Sequence, residues 1–248
     1  MRLLKLVTLC LLLCGGKAAA QVNDFGIWTG FQAEYDFLSR FSAHAAEELR
    51  FNENATELGS IFTDIGLDYK TPLKGFRASV NGRFIQRRQL NDFYTPVNRL
   101  YFDFSYKKKI RKFTYILRLR LQNQSPQSPL ENDTRARPAH DRWRFTVKYD
   151  PGRRIQPYVY VETFHNMRKK YNDQVRFCGG IDFKANVFNS YSVFYLHQRE
   201  LASKNPERDF IIGVQYNLNL NSVFDRISNR NKVIDEVRPV DQPANKTN

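Results

Sequence analysis

The chain has almost no means of forming disulfides. Of its three cysteines, Cys10 and Cys14 stand among the first twenty residues and only Cys178 lies beyond them. A small cystine-stapled fold is therefore excluded. Long apolar runs are missing as well: after Cys14 no stretch approaches the roughly 20 residues of a membrane-spanning helix. His/Cys clusters with metal spacing, the HExxH pattern and glycine-rich phosphate loops are also missing, so neither a metal, a nucleotide nor another cofactor is expected. The histidines His44, His140, His165 and His197 carry no motif around them. Ser42, His44 and Glu48 do share one face of an extended segment, but a strand histidine is more often a satisfied polar group than a catalyst, and no catalytic residue is assigned.

What the N-terminus does hold is a leader. Arg2 and Lys5 precede the apolar run Leu3–Cys14, and Ala18-Ala19-Ala20 offers a small-residue cleavage site before Gln21. Residues 1–20 read as a secretory signal peptide. Three leucines ahead of Cys14 exclude a lipoprotein processing site. The formal charge is +14; Arg2, Lys5 and Lys17 account for three of these, leaving +11 on the exported part. A basic exported chain meets lipid phosphates, acidic glycans or small anions rather than nucleic acid.

The dominant pattern beyond residue 21 is alternation. In "KFTYILRLRLQ", residues 112–122, Phe113, Tyr115, Leu117, Leu119 and Leu121 fall on one face of a strand. Thr114, Ile116, Arg118, Arg120 and Gln122 fall on the other. The same two-residue period recurs at 25–37, 41–52, 58–70, 75–87, 99–106, 142–149, 175–184 and 209–219. Residues 42–51 have helical propensity but sit inside a period of two, which assigns them to a strand. Segments 155–166 and 190–199 are extended with aromatics on both sides, so their facing stays open. Short turns at Leu38–Arg40, Thr71–Lys74, Lys107–Arg111, Pro151–Arg154 and Ala185–Asn189 alternate with longer polar links, as in an antiparallel meander. About eleven strands can be counted; because closed bacterial barrels normally have an even number, ten or twelve is expected.

The expectation is an all-β protein: a single antiparallel up-and-down transmembrane barrel of about 10–12 strands at 21–220, followed by a flexible polar tail at 221–248. Alternation alone also suits a soluble periplasmic lipid-binding barrel, turned inside out. Three features favour the membrane. The strands reach the roughly 9–11 residues needed to cross hydrocarbon. Aromatics (Phe25, Trp28, Phe37, Phe41, Tyr69, Phe76, Tyr106, Phe113, Trp143, Tyr149) gather near strand ends like interfacial girdles, and the polar faces mix Arg with Asp and Glu.

Several of these residues also follow a family pattern. Trp28, Glu48-Leu49-Arg50, Gly66-Leu67-Asp68-Tyr69, Asn98-Arg99 and Leu117-Arg118-Leu119-Arg120-Leu121-Gln122 occur in an order that resembles the domain-of-unknown-function 2490 family, outer-membrane proteins mostly of Bacteroidetes. The resemblance covers about 25–220. It implies an outer-membrane barrel and no activity; the extension after Leu220 departs from the family's usual ending.

On this reading the inward face carries Glu48, Arg50, Asp64, Asp68, Arg77, Arg83, Arg99, Asp103, Arg118, Arg120, Arg142, Arg144, Arg176 and Asp182. Such a lumen attracts small anions, unless the arginines pair with Glu48, Asp64, Asp68, Asp103 and Asp182 and plug it, which is the more economical arrangement. The expected partners are outer-membrane lipids, lipopolysaccharide and small anions. Basic turns such as Lys107–Arg111 suit lipid phosphates or simply a solvated edge. The expected role is structural or that of a narrow pore. The other readings are an enzyme acting on lipid or lipopolysaccharide and the soluble lipid-binding barrel.

Overall fold

The computed structural model describes residues 23–89, 91–124, 139–152, 154–186, 188–202, 206–221 and 223–224. The leader expected at 1–20 and most of the tail expected at 221–248 lie outside the described residues. The described residues form eleven strands: β1 (Asn23–Leu38), β2 (Phe41–Asn52), β3 (Glu57–Lys70), β4 (Phe76–Arg88), β5 (Tyr94–Ile110), β6 (Phe113–Gln124), β7 (Ala139–Tyr149), β8 (Ile155–Asn166), β9 (Tyr171–Lys184), β10 (Asn189–Glu200) and β11 (Arg208–Asn219). Each pairs antiparallel with its neighbour in sequence, and β1 pairs with β11 to close the barrel. The closing pair is parallel, in register from Asn23↔Arg208 to Glu34↔Asn219. Closure leaves no strand edge to pair with another chain.

The strand number is the eleven counted in the sequence and within the expected 10–12; only the preference for an even count is not followed. An even count is needed only where the first and last strands must be antiparallel; here a parallel ladder replaces that seam. The helical propensity of 42–51 is overridden, as β2 pairs along its length with β1 and β3. A second correction concerns Lys107–Arg111. The turn shrinks to Arg111-Lys112, because β5 continues to Ile110 and pairs Lys107, Lys108 and Lys109 with Ile116, Tyr115 and Thr114 of β6. Arg111 takes a positive φ of 52° there.

The alternation separates two surfaces. Outward, every strand shows large apolar side chains to the surroundings, among them Phe31, Phe41, Ile65, Phe84, Phe102, Leu117, Trp143, Val159, Phe177, Val193 and Ile212. Leu117 is 43 % exposed while its neighbours Arg118 and Arg120 turn inward. Facing is settled for the two ambiguous segments as well. β8 turns Tyr158, Tyr160, Glu162 and Phe164 inward and Val159 outward; β10 turns Phe194 and Leu196 inward and Tyr195 outward. At the rim of the shorter connections, aromatic pairs join neighbouring strands: Phe41 on Tyr69 at 4.8 Å, Phe76 on Tyr106 at 4.6 Å and Phe113 on Tyr149 at 5.2 Å between ring centres. Cross-strand aromatic pairs of this kind contribute about 0.5–1 kcal/mol each. Trp28 is a correction to the girdle: it points into the barrel and is only 8 % exposed.

Two apolar clusters lie inside. Trp28, Cys178, Leu196 and Ile211 pack together with Tyr158, Tyr160 and Phe194, and Phe62 packs with Ile85 and Val97. The Phe194 ring occupies the space a side chain at Gly213 would need, approaching such a Cβ to 2.0 Å. The start of the tail is fixed to the barrel: Asn221 exchanges two hydrogen bonds with the backbone of Asp36, and Phe224 meets Tyr35 edge-on at 5.7 Å.

Candidate functional site

The strongest concentration of polar chemistry is the lumen. Its largest cavity, ≈ 1420 Å³, is lined by residues from one rim (Gln124, His140, Asp173) to the other (Lys107, Lys184, Asn219). A ≈ 650 Å³ cavity opens at the rim where β1 begins, and a ≈ 240 Å³ cavity lies against β2–β4. The inward-pointing residues follow from strand parity: β6 contributes Arg118 and Arg120, β7 Arg142 and Arg144, and β5 Arg99 and Asp103. Glu48, Arg50, Arg83, Arg99, Arg118, Arg120, Arg142, Arg144, Arg176 and Asp182 line the largest cavity. Asp64, Asp68, Arg77 and Asp103 line the smallest.

Of the five acids expected to pair with arginine, Glu48, Asp64 and Asp103 do so, while Asp68 and Asp182 take other principal partners. Asp64 accepts from Arg83 (2.8 Å) and from the Tyr101 hydroxyl (2.8 Å), Asp103 accepts from Arg120 through two 2.7 Å bonds, and Glu48 holds Arg50. Asp68 instead binds His44 at 2.7 Å, with Arg77 only at 3.9 Å, and Asp182 binds Lys148 at 2.7 Å. The central acid is one the sequence analysis did not single out. Glu162 of β8 is 0 % exposed and receives Arg118 at 2.6 Å, Arg142 and Arg144 each at 2.9 Å, and Arg176 at 3.8 Å. Its signal was in the register, not in its own strand: Glu162 stands directly opposite Arg144 on one side and Arg176 on the other.

Aromatic faces support the guanidinium groups. Arg50 lies 3.6 Å from the Trp28 ring centre, Arg120 3.8 Å from Tyr101, Arg142 4.1 Å from Phe164 and Arg144 4.2 Å from Tyr160. Cation–π contacts out of water contribute about 2 kcal/mol at best, and do not neutralise charge. The mid-barrel therefore keeps an excess of positive charge: Arg50, Arg83, Arg99, Arg118, Arg120, Arg142, Arg144 and Arg176 face Glu48, Asp64, Asp103 and Glu162. Arg99 bonds only the Gln124 side-chain oxygen among the described residues. The Nε–H donors of Arg118, Arg142 and Arg144 are buried without a partner among the described residues.

The two rims differ in charge. The rim with shorter connections carries Lys70, Lys107, Lys109, Lys112, Lys148 and Lys184. At the opposite rim, the smaller mouth cavity is lined by Asp24, Glu53, Glu57, Asp92, Glu207 and Asp209, with Arg87 and Arg88 among them. Burial beside Glu200 and Asp24 pushes the Glu207 carboxyl above its ordinary value.

The histidines form no catalytic arrangement among the described residues. His44, His140 and His165 each bond an aspartate (Asp68, Asp173 and Asp141), His197 stacks on Phe210, and the buried Ser42 hydroxyl has no hydrogen-bond partner. Among the described residues there is also no group of three or more potential metal ligands.

Comparison with known proteins gives a family and a distant structural likeness. No curated protein matches. Among solved structures, the chain is similar to the beta domain of the Bordetella autotransporter Brka, at 10 % identity over 70 % of this chain and 81 % of that one, with a TM-score of 0.38. Residues 25–209 match the family described as protein of unknown function (DUF2490), and, since that span is most of its length, the chain belongs to this family.

Proposed function

We propose that this protein is an integral β-barrel of the bacterial outer membrane, and that its lumen is a narrow pathway selective for small anions. The observation that carries the reading is the inversion of the barrel: large apolar side chains cover the outer wall while the guanidinium groups turn inward. Soluble monomers rarely expose contiguous apolar patches beyond a few hundred Å². A belt contributed by all eleven strands is far beyond that, and it suits hydrocarbon. Each strand has at least the 11 residues of β7, enough to cross a bilayer at a barrel's tilt. Backbone closure through the β1–β11 pair satisfies the requirement that no peptide group stay unpaired in lipid. Among the described residues no helix is long and apolar enough to cross a membrane.

Selectivity follows from the charge balance inside. A low-dielectric wall focuses the field of excess arginines onto the aqueous path, lowering the energy of anions and raising that of cations. The main cavity of ≈ 1420 Å³ is lined from rim to rim, as such a path requires. The basic rim favours anion entry from that side. A lipid-modifying enzyme has less support, since among the described residues His44 bonds Asp68 and the Ser42 hydroxyl has no hydrogen-bond partner.

Reversal potentials of the refolded protein in a planar bilayer under a potassium chloride gradient test the proposal. Anion preference is expected. Cation preference contradicts it, and an intact barrel with no conductance returns the lumen to a plug.

A further inference from the structure

Two pairs of arginines face each other across the β6–β7 ladder. Arg118 stands directly opposite Arg144, and Arg120 directly opposite Arg142. Like charges directly opposite on a sheet repel. Opposed residues are about 5 Å apart and successive residues on one face about 7 Å apart, so the four side chains spring from a patch of roughly 5 by 7 Å. Two carboxylates serve this patch, Asp103 from one side and Glu162 from the other. Four guanidiniums offer about twenty N–H donors, whereas two carboxylates accept at about eight lone-pair sites. The Gln122 side-chain oxygen takes one more, at 3.3 Å from Arg142. Three Nε–H groups are left without a partner, and the largest cavity lies against the same side chains.

We propose that the Arg118, Arg120, Arg142 and Arg144 block is a binding site for a phosphate-type oxyanion. This deepens the reading of the lumen as an anion pathway and rests on the same inward placement of charge. A tetrahedral, multiply charged oxyanion presents oxygens in several directions, matching guanidinium forks that converge from two strands, and it brings up to about two negative charges to a group whose own acids leave two positive charges unbalanced. A single chloride corrects neither the donor surplus nor the charge. Arg142 is the centre of the site, since it touches both the Glu162 carboxylate and Gln122 and lies over the Phe164 ring. A sheet patch this rigid fixes its donors in advance, so little side-chain freedom is lost on binding.

The test is equilibrium dialysis of the refolded full-length barrel in a neutral detergent against radiolabelled orthophosphate and pyrophosphate at low ionic strength. Saturable binding of about one anion per barrel is expected, tighter for pyrophosphate. Arg142→Gln and Arg118→Gln should each weaken it at least tenfold. Arg77→Gln removes the same charge from an arginine held at 3.8–3.9 Å by Glu34 and Asp68, outside the block, and should change affinity less than twofold. Heat-dependent gel migration verifies that each variant is folded. Should Arg142→Gln not fold, Arg142→Lys keeps the charge and loses the fork, and is expected to bind several-fold more weakly. Absence of saturable binding, or equal weakening by Arg77→Gln and Arg142→Gln, overturns the site. Binding in detergent needs no conduction, so failure here leaves anion selectivity standing, and a non-conducting barrel leaves the site standing.

Discussion

Glu162 holds the interior together at the scale of single residues. Its carboxylate is fully enclosed and meets four arginines, of which three are within 2.9 Å. Removing one partner from a buried ionic group costs about 3–5 kcal/mol, because the charges left behind lose their compensation without regaining water. Glu162→Gln is therefore expected to lower the midpoint of urea unfolding in lipid vesicles by that equivalent; a shift no larger than that of a lipid-facing Val159→Ala control would contradict the role. The arginines of this cluster are legible in the sequence, since Arg118, Arg142, Arg144 and Arg176 each oppose an apolar row in a clear period of two. Glu162 is not, for a physical reason. Its strand puts Tyr158 and Tyr160 on the inner face and Val159 and Val161 on the outer, so hydrophobicity alternates too weakly to show which side is polar. Only the partner strands, through Arg144 and Arg176, reveal its place.

At the scale of strands and turns, the odd count has a topological consequence. With eleven strands, β1 begins at one rim and β11 ends at the other. Gln124 and Ala139, which flank 125–138, and Glu200 and Arg208, which flank 201–207, lie at the rim where β1 begins; the two-residue turns Ser39-Arg40 and Arg111-Lys112 lie at the opposite rim, with Asn221. Outer-membrane barrels keep short turns in the periplasm and longer loops outside. A peptide tag placed after Asn248 should thus be shielded from antibody on intact cells and become reachable once the outer membrane is permeabilised, whereas a tag inserted between 125 and 138 should be reachable throughout. The reverse pattern would contradict this orientation. Strand existence was readable from periodicity almost everywhere, including residues 42–51, where tertiary pairing overrides helical propensity. The parallel β1–β11 seam was not readable, because no local pattern distinguishes a strand that will pair parallel from one that will pair antiparallel. The length of β5 was also hidden: three consecutive lysines resemble a solvated turn, yet they continue the ladder with β6 to Ile110.

For the molecule as a whole, the two tryptophans are natural reporters of which surface meets hydrocarbon. Trp143 stands on the outer wall at 46 % exposure, with its indole N–H donating to Asp141 at 3.0 Å. Trp28 lies inside beneath Arg50. The sequence placed both in an aromatic girdle by their position near strand ends; the barrel separates them by parity. Refolding the Trp28→Phe and Trp143→Phe variants into vesicles of brominated phospholipid, and measuring tryptophan emission, reads the environment of each ring alone. Strong quenching of Trp143 and little quenching of Trp28 is the expected result; equal insensitivity of both, or quenching of Trp28 by the lipid in place of Trp143, would contradict a wall of hydrocarbon-facing side chains around a guanidinium-lined interior.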